Sequence, residues 1–328
     1  MERPEKISTA FTQLFQLDYP IIAAPMFLIS DARLTTAVCR AGATGAFPAL
    51  NFRPVERLRE EIRAIKKATP APFGVNIIVQ ESNKYREAQI DACLQEGVAY
   101  IISSLGNPTA LIERARQVGT RVFCDVVSVK HARKAVDAGA DGLVAVSAGA
   151  GGHAGDRSPF ALIPELKAAF KVPVIASGGI VNGKTMLAAL ALGADAVYLG
   201  TRFIASAEAD APREYKDAIL HATMDDIVNS DRVDGFPGNF IQTKAFKKLV
   251  PDPGVVEKAL RASPKLDRAW RLYKAGRALF AKPSDAKASY KTVFSAGHGV
   301  GQIESIEPAE AIVHRLVREY WQAKQTLP

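Results

Sequence analysis

A chain of 328 residues, 48% of them hydrophobic, has ample material for a large core and exceeds a plain eight-unit barrel (~250 residues) by about 80. It has no run of eighteen apolar residues, and the start Met1-Glu2-Arg3-Pro4-Glu5-Lys6 lacks an apolar signal core, so no membrane span and a cytoplasmic location are expected. Cys39, Cys93 and Cys124 are scattered without metal-ligand spacing, which argues against a disulfide framework or a zinc site.

Taken in order, Pro20-Ile21-Ile22-Ala23 reads as a first buried strand and runs into Ala24-Pro25-Met26. Gly42 stops a helix ahead of Thr44-Gly45-Ala46-Phe47, and a helical stretch follows from Pro54 to Lys67. Phe73-Gly74-Val75-Asn76 is the third strand, with a helix from Tyr85 to Glu96 behind it. The pattern repeats at Gly97 before Tyr100-Ile101-Ile102, at Gly119 before Val122-Phe123, and at Gly139 before Leu143-Val144-Ala145-Val146. Val174-Ile175-Ala176, a helix from Gly183 to Leu192, and Val197-Tyr198-Leu199 after Gly193 complete eight strands. Apolar runs that alternate with helices predict βα units and an α/β fold. A doubly wound open sheet alternates in the same way, but eight units favour a (β/α)8 TIM barrel.

The last two strands end in Ser177-Gly178-Gly179 and Gly200-Thr201-Arg202. Small residues there leave backbone N–H groups bare, and glycine lets a phosphate approach them, as after strands seven and eight of a TIM barrel. Strand five ends in Cys124-Asp125. A carboxylate at a strand mouth must be paired or functional, whereas a buried cysteine there is most simply inert. Strand six opens into Ser147-Ala148-Gly149-Ala150-Gly151-Gly152-His153-Ala154-Gly155. A histidine among glycines at the barrel mouth is free to approach a ligand and titrates near neutrality, so His153 is the candidate general base or acid. Gly149, Gly151 and Ala154 also satisfy a loosened dinucleotide fingerprint. Pro159 and Pro164 argue against the helix that fingerprint needs, so the segment reads as a flexible loop. His131, His221 and His314 fall in helical stretches and read as surface or packing residues.

The βα rhythm stops from about Ser206 to Ser289. The expected organisation is therefore a barrel of 1–205 and 290–328 with a helical insertion, 206–289, between the eighth strand and the C-terminal helix. Residues 241–291 hold thirteen Lys and Arg against four Asp and Glu, enough to account for the whole net charge of +8. This is either a solvated basic surface or a face for an anionic partner such as a nicotinamide dinucleotide or an acidic protein. Trp270, Tyr273 and Phe280 fall at helical spacing and read as core, which argues against nucleic acid.

Several of these strings together carry a family resemblance: Pro25-Met26, Phe73-Gly74-Val75-Asn76, Gly151-Gly152-His153-Ala154-Gly155, Pro173 to Gly179, Leu199-Gly200-Thr201-Arg202-Phe203 and Ser295-Ala296-Gly297-His298-Gly299-Val300-Gly301. The combination resembles the nitronate monooxygenase (formerly 2-nitropropane dioxygenase) family. Its members include nitronate monooxygenases, NADH:quinone reductases and flavin-dependent enoyl-acyl-carrier-protein reductases. The resemblance implies a non-covalent FMN, its phosphate against Gly178, Gly179, Gly200 and Thr201 with Ala150 and Gly151 nearby, and Ser177 counted with the cofactor site. Ala24, Pro25 and Met26 would flank the ring, Asn76 would donate to its polar edge, and His153 would stand over its substrate side as the base toward a neutral nitroalkane. Asp125 is counted with the cofactor site. Such relatives usually carry Gln where this chain has His298, so a second imidazole is expected to face the flavin.

The implied activity is oxidation of alkyl nitronates with O2. The alternative is an NAD(P)H-dependent reductase acting on a quinone or on an enoyl thioester carried by acyl carrier protein. A phosphate-sugar barrel enzyme without flavin, or a binding module, would leave the closing loop and Asn76 without a role. A small-molecule substrate and a homodimer are expected.

Overall fold

The computed structural model describes residues 3–250 and 292–326, together with Ser263, Leu266 and Trp270. Eight parallel strands close on themselves: β1 (Ile21–Ala23), β2 (Thr44–Pro48), β3 (Gly74–Ile78), β4 (Tyr100–Ser104), β5 (Arg121–Val126), β6 (Gly142–Val146), β7 (Val174–Ser177) and β8 (Ala196–Leu199). β8 returns to β1 through Ile21↔Val197, Ile22↔Tyr198 and Ala23↔Leu199, so the sheet has no edge. The chain is an α/β TIM barrel, and the open doubly wound sheet is excluded.

What fills the barrel decides where a ligand can go. Phe11 and Phe15 of the helix Ala10–Phe15 plug the amino-terminal end, with centroids 5.7 Å and 5.2 Å from Phe123 and Tyr100 respectively. Tyr100 and Phe123 cross the lower interior because their neighbours are glycine: a Cβ on Gly74 would collide with the Tyr100 ring, and one on Gly142 with Phe123. The bottom is thus packed solid, and free space is left at the carboxyl ends of the strands. Outside, the helix Ala309–Thr326 closes the ring against Gly183–Ala191, where only glycine at 183 admits the Tyr320 backbone.

Two expectations require correction. A helix, Pro159–Ala169, does follow the glycine-rich loop. Pro159 occupies its first turn, where no N–H is needed, and the Ser158 hydroxyl caps the Phe160 amide. The segment after β8 is not wholly helical either. It holds the helices Arg213–His221 and Lys244–Leu249, but also the strands Ile227–Ser230 and Gly238–Ile241. These strands form an antiparallel hairpin whose second arm pairs with Gly152–His153. Its turn contains Asp234-Gly235, with Gly235 at φ +94°, so a turn signal stood in the sequence. Most of the basic stretch 241–291 lies outside the described residues. Among the described residues no helix is long and apolar enough to cross a membrane.

Candidate active site

The strand ends open into one cleft of about 1030 Å³, at the top of the ~300–1,000 Å³ range for cofactor and small-molecule sites. All fourteen residues singled out in the sequence, from Ala24 to His298, line it.

The glycines on the β7 and β8 side divide by what a side chain would meet. A Cβ on Gly178 would stand 2.9 Å from the Ala148 carbonyl, and one on Gly151 2.8 Å from the Gly297 amide, so these two are small for the protein's own packing. At Gly179 a Cβ would meet nothing within 4 Å, and at Gly200 only Met26 and Ala24 at 3.8 and 3.9 Å. Those two glycines face open cleft. Gly178 and Gly179 also lie at φ +119° and +71°, where a side chain is strained. Among the described residues no carbonyl accepts from the amides of Gly178, Gly200 or Thr201. Bare donors around an open cradle fit an anionic, phosphate-like group. Arg202, next in the motif, turns away: it is buried and bonds the carbonyls of Ala205 and Ser305 at 2.9 and 2.6 Å.

Two loops close over this cradle. The Gly297 amide donates to the Thr201 hydroxyl at 2.9 Å and the His298 amide to Gly149 O at 3.0 Å. The His298 side chain is exposed and sits beside Gly149 at the rim. Ala150 is buried, and its carbonyl accepts from Asn239 Nδ2 at 2.7 Å. Ser177 is buried, its carbonyl bonded by the Ser147 hydroxyl. Opposite, the Ala24-Pro25-Met26 turn is held by Ser30, whose hydroxyl accepts from the Met26 amide at 2.9 Å. Asn51 holds it too, donating to Met26 O and Ser30 O. Asn51 also accepts from the amide of Leu28, whose φ of +65° lies in the left-handed region.

Polar groups lie in a chain along the floor. Asn76 Nδ2 donates to Ile102 O at 3.1 Å and to the Ser104 hydroxyl at 2.7 Å, and Ser104 donates to Asp125 Oδ2. Both amide hydrogens of Asn76 are therefore engaged. Toward a ligand it offers Oδ1, an acceptor, rather than the donor the resemblance implies. The other Asp125 oxygen, Oδ1, is buried and without a hydrogen-bond partner. Burial pushes the Asp125 carboxyl up to about 6, against the opposing pull of Ser104 and then His153. Burial likewise pushes the Cys124 thiol up to about 12, so it is inert at neutral pH, as expected.

The Asp125 shift has a sign that can be measured. The folded carboxyl holds its proton above the ordinary aspartate value of 3.8, so stability falls as pH rises from there through about 6. Asp125→Asn should therefore gain about 1–3 kcal/mol at pH 8, with the gain vanishing toward pH 4. Thermal melts at both pH values read this, and a lower melting temperature at pH 8 would show the charge to be compensated.

His153 forms the remaining wall. Its Nε2 lies 2.6 Å from Asp234 Oδ2. The imidazole keeps 39% of its surface open to the cleft, whereas the carboxylate is 8% exposed. Phe236 packs edge-on against the ring at 5.6 Å. Burial alone would lower the imidazole's pKa, but the hydrogen bond and charge of Asp234, then the charge of Asp125, raise it. A carboxylate only accepts, so Asp234 assigns the proton to Nε2 and leaves the lone pair on Nδ1. Asp234, Ser104, Asn51 and Asn239 were absent from the sequence-based set. Asp234 lies 81 residues from His153 and carried only the signal of an Asp-Gly turn.

The family model described as nitronate monooxygenase matches residues 8–89 and 80–319. The chain belongs to the nitronate monooxygenase family. Among curated relatives it is similar to a (3aS,4S,5R,7aS)-5-hydroxy-7a-methyl-1-oxo-octahydro-1H-indene-4-carboxyl-CoA dehydrogenase of Mycobacterium tuberculosis, with 31% identity over 74% of this chain and 69% of that one. It is also similar to a probable nitronate monooxygenase of Staphylococcus saprophyticus, with 28% identity over 74% and 81%. Among solved structures it resembles FabK from Thermotoga maritima at 30% identity and a TM-score of 0.82, covering 97% of this chain and 98% of that one. Nitroalkane oxidase from Streptomyces ansochromogenes follows at 27% identity and 0.79, covering 98% and 100%. This nitronate monooxygenase family member is an enzyme, a flavin oxidoreductase, and the open cradle at Gly179 and Gly200 suits a phosphate-bearing flavin.

Proposed function

We propose that the chain is an FMN-dependent nitronate monooxygenase-type enzyme that oxidises alkyl nitronates with O2 and generates them from neutral nitroalkanes. His153 carries this reading, as an imidazole open to the cleft with a carboxylate behind it. A nitroalkane has an acidic C–H beside the nitro group, and a positioned imidazole is the side chain suited to remove that proton. Nδ1 receives it, while Asp234 holds the ring through Nε2 and balances the imidazolium formed. A preformed nitronate needs no such base.

The FMN phosphate belongs in the cradle of Gly178, Gly179, Gly200 and Thr201. Ser177, Ala150 and Gly151 line the wall beside it, and His298 covers the rim. Ala24, Pro25 and Met26 flank the ring, and Asn76 Oδ1 accepts from its polar edge. Bound there, FMN supplies the electron acceptor for the substrate and the reductant for O2. The closed floor of Tyr100 and Phe123 keeps water from entering from below.

The likeness to FabK over nearly the whole chain favours a second reading, an NAD(P)H-dependent reductase. Its anionic partners, a dinucleotide or an acyl carrier protein, suit the lysine- and arginine-rich stretch 241–291. Anaerobic mixing of the yellow enzyme with NADH, NADPH or an alkyl nitronate separates the two. Bleaching by the nitronate alone supports the monooxygenase, and fast bleaching by a reduced nicotinamide makes the chain a reductase.

A further inference from the structure

We propose that Asp234, carried in by the hairpin of residues 227–241, is the positioning residue of the His153 base, so that the proton acceptor of this enzyme is a carboxylate–imidazole pair assembled from two distant parts of the chain. The inference rests on the reading of His153 as the base.

The hairpin is fastened to the glycine-rich loop at several points. Gly238 pairs with His153 and Asn239 with Gly152, the Ala154 amide donates to Pro237 O at 3.2 Å, and Asn239 Nδ2 reaches Ala150 O. Its far side is tied to the closing loop: Ile241 N donates to Phe294 O at 2.8 Å and Ala296 N to Asn239 O at 3.3 Å. Within the turn, the Phe236 amide donates to Asp234 Oδ1 at 3.1 Å, which fixes the carboxylate plane and turns Oδ2 toward the imidazole. Gly235 closes the turn by donating to Asp231 O at 2.9 Å. The carboxylate is thus oriented before any ligand arrives, as a positioned base requires.

Two consequences separate this role from that of a simple latch. Asp234 determines which ring nitrogen carries the lone pair, and its charge stabilises the imidazolium. Asp125 on β5 also acts on the ring, His298, Asp156, His131 and Lys134 line the same cleft, and Asp231 and Arg232 share the turn with Asp234. With Asp234 in place the imidazole gives up its proton at higher pH than an ordinary histidine. The acid limb for a neutral substrate then lies at correspondingly higher pH. Without that charge the limb moves down, and the base on the plateau is weaker.

The test uses the flavin-loaded enzyme as Asp234→Asn, which is isosteric and keeps an oxygen for the Phe236 amide, and as Asp234→Glu, which keeps the charge. Histidine-labelled protein has five imidazoles, and His153→Gln assigns the one of interest by NMR. In Asp234→Asn the pKa of His153 should fall by about one unit or more. The value of kcat/KM for a neutral nitroalkane should drop about 10–100-fold, while turnover of the preformed nitronate stays within about twofold. Asp234→Glu should keep the raised pKa and restore part of the rate. An unchanged His153 pKa in Asp234→Asn, or equal losses on nitroalkane and nitronate, would overturn the proposal. Should neither nitro compound be turned over, the assigned function falls, and the histidine titration still decides the role of Asp234.

Discussion

His153→Gln is expected to stay yellow and to lose about 10²–10⁴-fold in kcat/KM toward a neutral nitroalkane, while oxidising the preformed nitronate at close to the normal rate. Gln is preferred to Ala because its amide keeps an N–H for Asp234, so the hairpin and the glycine-rich loop stay joined. Steady-state rates with the two ionisation states of one substrate isolate the proton-removal step, and absorbance at equal protein concentration reports flavin content. Equal loss on both substrates would mean that His153 positions substrate rather than accepting its proton. Unchanged rates on both would remove it from the reaction.

Gly200→Val is expected to give a folded, colourless protein. The Gly200 backbone has a negative φ of −99°, so a side chain brings no left-handed strain, and its Cβ would be in ordinary contact with Met26 and Ala24. The branches of valine, however, project into the cradle proposed to hold the phosphate. Overpacking costs ~1–3 kcal/mol, and with each ~1.4 kcal/mol a factor of ten flavin affinity should fall about 10–100-fold or more. Gly178→Ala is the contrasting case. Its Cβ would press on the Ala148 carbonyl and the Ser147 hydroxyl at a φ of +119°, so the loss should register in the melting temperature. Flavin titration and thermal melts of both variants read the difference. Full flavin content in Gly200→Val would place the phosphate elsewhere.

The eight strands could be read from the chain because each is a short apolar run, five of them behind a glycine at a helix end, a signal contained in adjacent residues. The strand-end motifs were legible for the same reason, and all of them converge on one cleft because a closed parallel barrel puts every carboxyl end on one face. The hairpin was not legible. Its strands are four residues each, and their partner, Gly152–His153, lies far away in sequence, so local pattern gave no reason to prefer strand to helix. The helix after the glycine-rich loop was missed because two prolines read as breakers, although one occupies the first helical position, where proline is at home.

Sequence by itself determined the barrel, the glycine cradle and the histidine at its mouth, because each depends on local propensity, on periodicity and on where small residues interrupt them. Only the tertiary structure decided what those residues meet. It distinguishes Gly179 and Gly200, which face open space, from Gly178 and Gly151, which face their own protein, and it turns Asn76 from donor to acceptor. It also sets Asp234 against His153 at 2.6 Å and leaves one oxygen of Asp125 without a partner. Such facts turn on separations of a few ångströms between segments far apart in the chain, 81 residues for His153 and Asp234, and no local pattern encodes a distance of that kind.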